Sequence, residues 1–149
     1  MALALVRGPR GLLLARRATP PGSGLYCLPG GKRQPGEGLA QTCRRELREE
    51  LGAEVGVLGL ALFVLQEVSG PDCPLSGPWP LGLFWCELPE EAALPPETVW
   101  LRPEELQRED VQATDRVMMQ DALAHPGLAP FRTSVAVWSG GALEVVRYG

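Results

Sequence analysis

Isoleucine and asparagine are absent from the 149 residues, and Lys32 and His125 are the only lysine and the only histidine. A single histidine rules out an imidazole-rich metal cluster. The four cysteines, Cys27, Cys43, Cys73 and Cys86, form no CxxC pair, so structural zinc is not expected. No secretory signal or membrane-length apolar run is present, and the cysteines are expected to be buried, reduced thiols in a cytoplasmic protein. Basic charge is also scarce. A net charge of −4 provides no surface for wrapping a long nucleic acid, although a small anion bridged by a cation stays compatible. The missing Ile and Asn and the scarce Lys read as a base-composition or thermal bias rather than a functional signal.

With 45% hydrophobic and 21% charged residues, the composition is that of an ordinary globular chain, and residues 1–149 are expected to form a single domain around one core. No acidic side chain precedes Glu37. The opening "MALALVRGPRGLLLARRAT" therefore has the arginine-rich, acid-poor character of a transit peptide. The competing and stronger reading is a strand over 2–6, a Gly-Pro turn and a strand over 11–17. Further on, "LYCLPGG" reads as a short strand, and 54–68 and 81–88 as longer ones. Between them "SGPDCPLSGPWP" reads as a long, mobile connection. "TVWL" is a strand, "RPEEL" a helical turn, and a second helix starts at Asp110 or Thr114 and ends near Ala124. "TSVAVWSGGALEVVRY" reads as a hairpin. The tryptophans and Tyr26 are expected in core or rim packing, and His125 at a helix end.

The most informative stretch is "GGKRQPGEGLAQTCRRELREELGAEV", from Gly30 to Val55. Leu39, Ala40, Cys43, Leu47 and Leu51 recur at helical spacing, and Gly52 supplies a stop. With Glu46 at zero on a helical wheel, Glu50 falls at about 40° and Glu49 at about 300°. Three carboxylates thus share one sector bordering the apolar stripe, while Gln41, Arg44 and Arg48 face away. Two carboxylates about 5 Å apart repel by roughly 3 kcal/mol at an effective dielectric near 20, so a positive partner is needed. Arg45 is one candidate. A hard divalent cation such as Mg²⁺ or Mn²⁺, bound through oxygens, is another, and it would keep water positions open for a diphosphate. Gly30, Gly31 and Gly36 permit close backbone approach in the loop before the helix, and Pro35 stiffens it.

Gly31, five residues, Glu37, seven residues, then Arg45, Glu46, Leu47, Arg48, Glu49, Glu50, Leu51, Gly52 and Ala53 resemble the signature of the Nudix hydrolases, with only Ala53 smaller than the usual bulky aliphatic residue. "GLLLARR", "LYCLPGGK" and "TVWLRPEEL" are similar to flanking segments of that family, although Tyr26 stands where many members have tryptophan. This favours core strands before residue 30 over a transit peptide. The resemblance implies an α/β fold, an α/β/α sandwich with a mixed sheet and a catalytic loop-helix-loop. It implies a Mg²⁺- or Mn²⁺-dependent pyrophosphohydrolase that cleaves a nucleoside diphosphate linked to another moiety by attack of water on phosphorus. A nucleoside triphosphate and an ADP-ribose-like nucleotide sugar both remain open as substrates. By position, Glu49, Glu50, Glu46 and the Gly31 carbonyl are implied metal ligands. Arg45 and Glu37 brace loop against helix, and Glu46 or Glu97 is the general base. Gly30, Gly31, Lys32 and Arg17 are expected to meet substrate, Arg17 sharing with Arg16 the alternative of a plain surface role. A non-catalytic nucleotide-binding regulatory domain is the competing function. A homodimer is compatible with the hydrophobic C-terminal hairpin.

Overall fold

The computed structural model describes residues 1–20, 22–73 and 76–149. Strands β1 (Ala2–Gly8) and β2 (Gly11–Arg16) form the first hairpin, followed by two-residue strands β3 (Tyr26–Cys27) and β4 (Gly30–Gly31). Helix α1 (Leu39–Leu51) leads into β5 (Gly56–Ser69), β6 (Gly77–Glu87) and β7 (Thr98–Leu101). A 3-10 turn at Pro103–Glu105, helix α2 (Ala113–Ala124), β8 (Phe131–Ser139) and β9 (Ala142–Tyr148) complete the chain. The strands form one mixed sheet in the order β3-β2-β1-β6-β5-β8-β9, with β4 paired to β1 and β7 to β2. β1 runs parallel to β6 and β5 parallel to β8; the other pairs are antiparallel.

Both faces of the sheet are buried at its centre, and β1 shows how its sequence meets that demand. Leu3 and Leu5 point to one side, where they pack with Leu83, Met118 and Met119 beneath α2. Ala2, Ala4 and Val6 point to the other, where they pack with Cys43, Leu47 and Leu51 of α1. Small side chains on that second face let the helix that carries the acidic cluster approach closely. The result is the expected α/β/α sandwich, with each fully buried leucine contributing roughly 1.5–3 kcal/mol. The first residues are central strands of this core, so they do not form a transit segment. At the β1–β2 turn Gly11 has φ 122°, and a Cβ there would strike the Leu101 carbonyl, so this glycine is required on both counts.

Two of the boundaries that differ from the sequence-based expectation have a clear structural cause. The connection after β5 is shorter, because β6 begins at Gly77 and takes in Pro78, Trp79 and Pro80. Proline is tolerated there for a geometric reason. The Gly82 N–H donates to the Met1 carbonyl at 3.0 Å, so Pro80 and Pro78, two and four residues earlier, turn their nitrogens to the same side, beyond the end of β1. The expected mobile stretch also included Pro74 and Leu75, which lie outside the described residues. The C-terminal hairpin begins two residues earlier than expected, at Phe131, because Phe63 and Phe131 pair across β5 and β8.

Leu5→Ala is expected to lower the unfolding free energy by about 2–5 kcal/mol in urea titrations, whereas Leu58→Ala, at an exposed position, should change it by less than about 0.5 kcal/mol.

Candidate active site

β4 and α1 build the centre of the site. Gly30 has φ 140°, and a Cβ there would collide with the backbone of Ala2 and Leu3, so only glycine allows β4 to lie against β1. α1 starts after Gly38, whose N–H donates to Gln41 Oε1 at 2.7 Å, and stops at Gly52, in the left-handed conformation with φ 66°. Buried Cys43, Leu47 and Leu51 fix the rotation of the helix. Arg45, Glu46, Glu49 and Glu50 therefore face β4 and the loop before α1, while Arg44 and Arg48 face solvent.

Arg45 ties this region together. Its Nε donates to Glu37 Oε1 at 2.7 Å and its Nη2 to Glu37 Oε2 at 3.1 Å, a two-pronged ion pair between loop and helix. Nη2 also donates to the Lys32 carbonyl at 3.0 Å, and Nη1 to Glu46 at 2.9 Å and Glu49 at 3.2 Å. Glu37 accepts two further bonds, from the Gln34 N–H and the Thr42 hydroxyl, each at 3.0 Å. The Arg45 hydrogen bond, assisted by those from Gln34 and Thr42, lowers the Glu37 pKa to about 2. Gly31 is tight against the same cluster, since a Cβ there would sit on the Glu46 carboxylate.

Glu50 is placed differently from Glu46 and Glu49. It accepts the Gly30 N–H at 2.9 Å, and among the described residues no arginine hydrogen-bonds its carboxylate. The residue is exposed over much of its area, yet its carboxyl group sits where protein atoms crowd out water. That desolvation raises its pKa to about 7; the Gly30 hydrogen bond opposes the shift, and the nearby Glu46 and Glu49 charges add to it. Glu50 opens into a cavity of about 510 Å³ whose wall also includes Arg16, Arg17, Gly30 and Glu97. Glu97 is brought to that wall by its own carbonyl, which accepts the Arg16 N–H at 2.9 Å. Lys32 is not part of the wall; its ammonium lies 5.1 Å from the centre of the Trp79 ring.

The three helix carboxylates share a face, as the wheel requires, but their oxygens do not converge. Among the described residues, no three acidic, cysteine or histidine side chains are gathered as a ready coordination set. Glu46 and Glu49 are turned toward Arg45, and Glu50 toward Gly30. The donor chemistry nonetheless fits a hard divalent cation: several carboxylate oxygens, a glycine without a Cβ against one of them, and one desolvated carboxyl group that, among the described residues, forms no ion pair, with the Arg17 charge acting on it only from a distance.

Beside this cavity, and sharing Arg17, Cys27, Leu28 and Gly30 with it, lies a recess of about 50 Å³. Its walls are mostly apolar, but Gln66, Gln112, Thr114 and Asp115, all buried, also face it. Asp115 Oδ2 accepts the Leu28 N–H at 2.7 Å, and Oδ1 accepts the Thr114 hydroxyl at 3.1 Å. Among the described residues Gln112 Oε1 is buried with no hydrogen-bond partner, so it is open to a donor from a bound molecule.

A profile of the NUDIX domain matches residues 1–122. The chain belongs to the Nudix family. It is accordingly a hydrolase of the family that cleaves pyrophosphate bonds in nucleoside diphosphate derivatives, and Nudix hydrolases generally use divalent cations. The non-catalytic alternative is thereby set aside. Among solved structures, the MutT mutator protein of Bacillus halodurans is similar over 99% of this chain and 94% of its own, with 21% identity and a TM-score of 0.68. The MutT protein of Methanosarcina mazei Go1 is similar over 85% of this chain and 94% of its own, with 24% identity and a TM-score of 0.69. A NUDIX hydrolase from Nitrosomonas europaea is similar over 92% and 77%, with 21% identity and a TM-score of 0.66. These likenesses establish the shared fold. No curated protein matches the sequence.

Within this Nudix fold, Gln66, Gln112, Thr114 and Asp115 of the recess carried no functional signal in the sequence. Asp115 lies on the buried side of α2, and its partner Leu28 is 87 positions away, so only the docking of α2 against the segment between β3 and β4 brings them together. The four thiols are free as expected, although Cys73 is only half-buried.

Burial raises the Asp115 pKa from its usual range to about 6, against the pull of its two hydrogen bonds. A carboxyl group whose folded pKa lies above its unfolded value favours folding when protonated, and that contribution is lost as pH rises from about 4 through about 6. Asp115→Asn keeps an acceptor for Leu28 without the charge. Its stability relative to the parent should rise across that window by about 2–3 kcal/mol and then level off, read from urea unfolding between pH 4 and about pH 8.

Proposed function

We propose that this Nudix hydrolase is a Mg²⁺- or Mn²⁺-dependent pyrophosphohydrolase acting on a nucleoside triphosphate or an ADP-ribose-like nucleotide sugar, with water attacking phosphorus. On this reading residues 1–149 form one such domain, working in the cytoplasm, where its four free thiols stay reduced. The observation that carries the reading is Glu50, a carboxyl group with a pKa raised to about 7, on the wall of a cavity large enough for a nucleotide's phosphates and sugar.

Glu49 and Glu50 would hold the cation together with the Gly31 carbonyl, and Glu46 would be a third ligand or orient water. The bound cation would supply charge neutralisation of the diphosphate and a lower pKa for coordinated water. Everything else falls to the chain's own groups. The Arg45–Glu37 pair keeps the loop at a fixed distance from α1, so that the backbone of Gly30 and Gly31 stays beside the carboxylates. Arg45 fixes one oxygen of Glu46 at 2.9 Å and leaves the other to accept a proton from the attacking water. Glu97, exposed at the cavity wall, is the second candidate for that base. Arg17 and the backbone of Gly30 and Gly31 would lie against the phosphates, and Lys32, beside the cavity, would add a diffuse positive potential. An edge of the substrate would reach into the recess, where Gln112 and Asp115 would read its polar groups and the apolar walls would exclude water.

The test is a panel of nucleoside triphosphates, ADP-ribose and dinucleoside polyphosphates assayed with Mg²⁺ or Mn²⁺. Glu50→Gln should keep its circular dichroism and melting behaviour while losing about a hundredfold or more in turnover. Near-normal turnover of that variant at saturating Mg²⁺ would overturn the assignment.

A further inference from the structure

The sheet face beneath α1 is covered only in part. α1 lies over β1 and β6, and on the same side β5, β8 and β9 present side chains to solvent. The register defines this surface. Gln66, Val68 and Ser134 are buried toward α2, so the alternate residues of β5 and β8 stand on the opposite side. Two of these, Leu65 and Phe131, are 40% and 59% exposed, and the Phe131 ring stacks on Phe63 with centroids 5.9 Å apart. An apolar face of this kind on an ordered sheet marks an interaction surface.

Its charges indicate the partner. Glu67 on β5 pairs in register with Val135 on β8, and Val135 pairs with Arg147 on β9. An acid and a base therefore flank Val135, each one strand spacing away, or about 4.8 Å. Among the described residues, neither has an ion-pair partner within the chain.

We infer that this face is where two copies of the chain associate, β8 against β8, about a two-fold axis parallel to that strand. Rotation about such an axis keeps each cross-strand row in place and exchanges the strands on either side of β8. Glu67 of one copy then meets the partner's Arg147, and the same pair forms again in reverse. Val135 and Phe131 each meet their own counterpart, which completes an apolar centre with two ion pairs at its flanks. Strands of the two sheets run nearly aligned in this arrangement, as face-packed sheets prefer. Glu144, in register with Val137, adds a second acid to the face, so the surface carries both signs and is matched to its own rotated copy rather than to a strongly acidic or basic partner.

Light scattering after size-exclusion chromatography, over the micromolar range, should show the mass of two chains. E67R and R147E should each weaken association by at least about tenfold, and the double variant E67R/R147E should restore it. Val135→Cys, on the axis, should give a covalent dimer with a short bismaleimide that the parent chain does not give, and this readout stands even if a charge reversal impairs folding. A chain that stays monomeric throughout the range, or a dimer indifferent to both reversals and not captured through Val135→Cys, would overturn the inference and leave the face to a different protein.

Discussion

The Arg45 guanidinium reaches four groups at once: the Glu37 carboxylate, the Lys32 carbonyl, Glu46 and Glu49. Two of these belong to the loop before α1 and two to α1 itself. A loop rich in glycine loses much conformational freedom on ordering, and nothing in 32–36 is buried enough to offset that loss by apolar contact. Fixed, charge-assisted hydrogen bonds supply the needed order instead. Lysine in this position would hold one partner rather than this set, because its single ammonium lacks the planar fork that spans Glu37 and Lys32 together. The position of Gly30 and Gly31 beside the acidic residues depends on this one side chain.

That local tie works because the helix it grips is already fixed by the core. Cys43, Leu47 and Leu51 seat α1 on the small side chains of β1, and Gly30 and Gly31 lie against the same strand. β1 thus carries both halves of the site, the helix on one face and the glycine strand at its start. Glu50 ends up where, among the described residues, no arginine hydrogen-bonds it, while Glu37, on the other side of the cluster, is strongly paired. Two carboxylates of one motif consequently have pKa values pushed in opposite directions, to about 7 and about 2. Separation of this kind divides labour between a group that braces and a group that answers to bound charge.

Legibility in the sequence tracked how local each feature is. α1 was readable to within a residue at both ends, because Gly38 and Gly52 flank a stripe whose period is set by the helix itself. The first hairpin was readable because two short apolar runs flank a Gly-Pro turn. The start of β6 was not readable: prolines ordinarily argue against a strand, and Pro78 and Pro80 are harmless only because β1 ends short of them. The acidic sector was legible as a shared face, yet the orientation of its oxygens was not. Side-chain torsions there are set by Arg45 and the Gly30 N–H, and those contacts arise from the approach of loop to helix.

The sequence alone determined the family, the loop-helix motif and the identity of the residues that can bear the chemistry, since all of these lie within one continuous stretch governed by helical period and glycine placement. Only the tertiary structure decided which carboxylate faces the cavity, that Glu97 joins its wall, and that Asp115 and Gln112 face a recess beside it. Those relations link residues tens of positions apart, through a mixed sheet whose strand order does not follow the chain. Side-chain identity is written locally, but burial, and with it charge, depends on what the fold brings alongside.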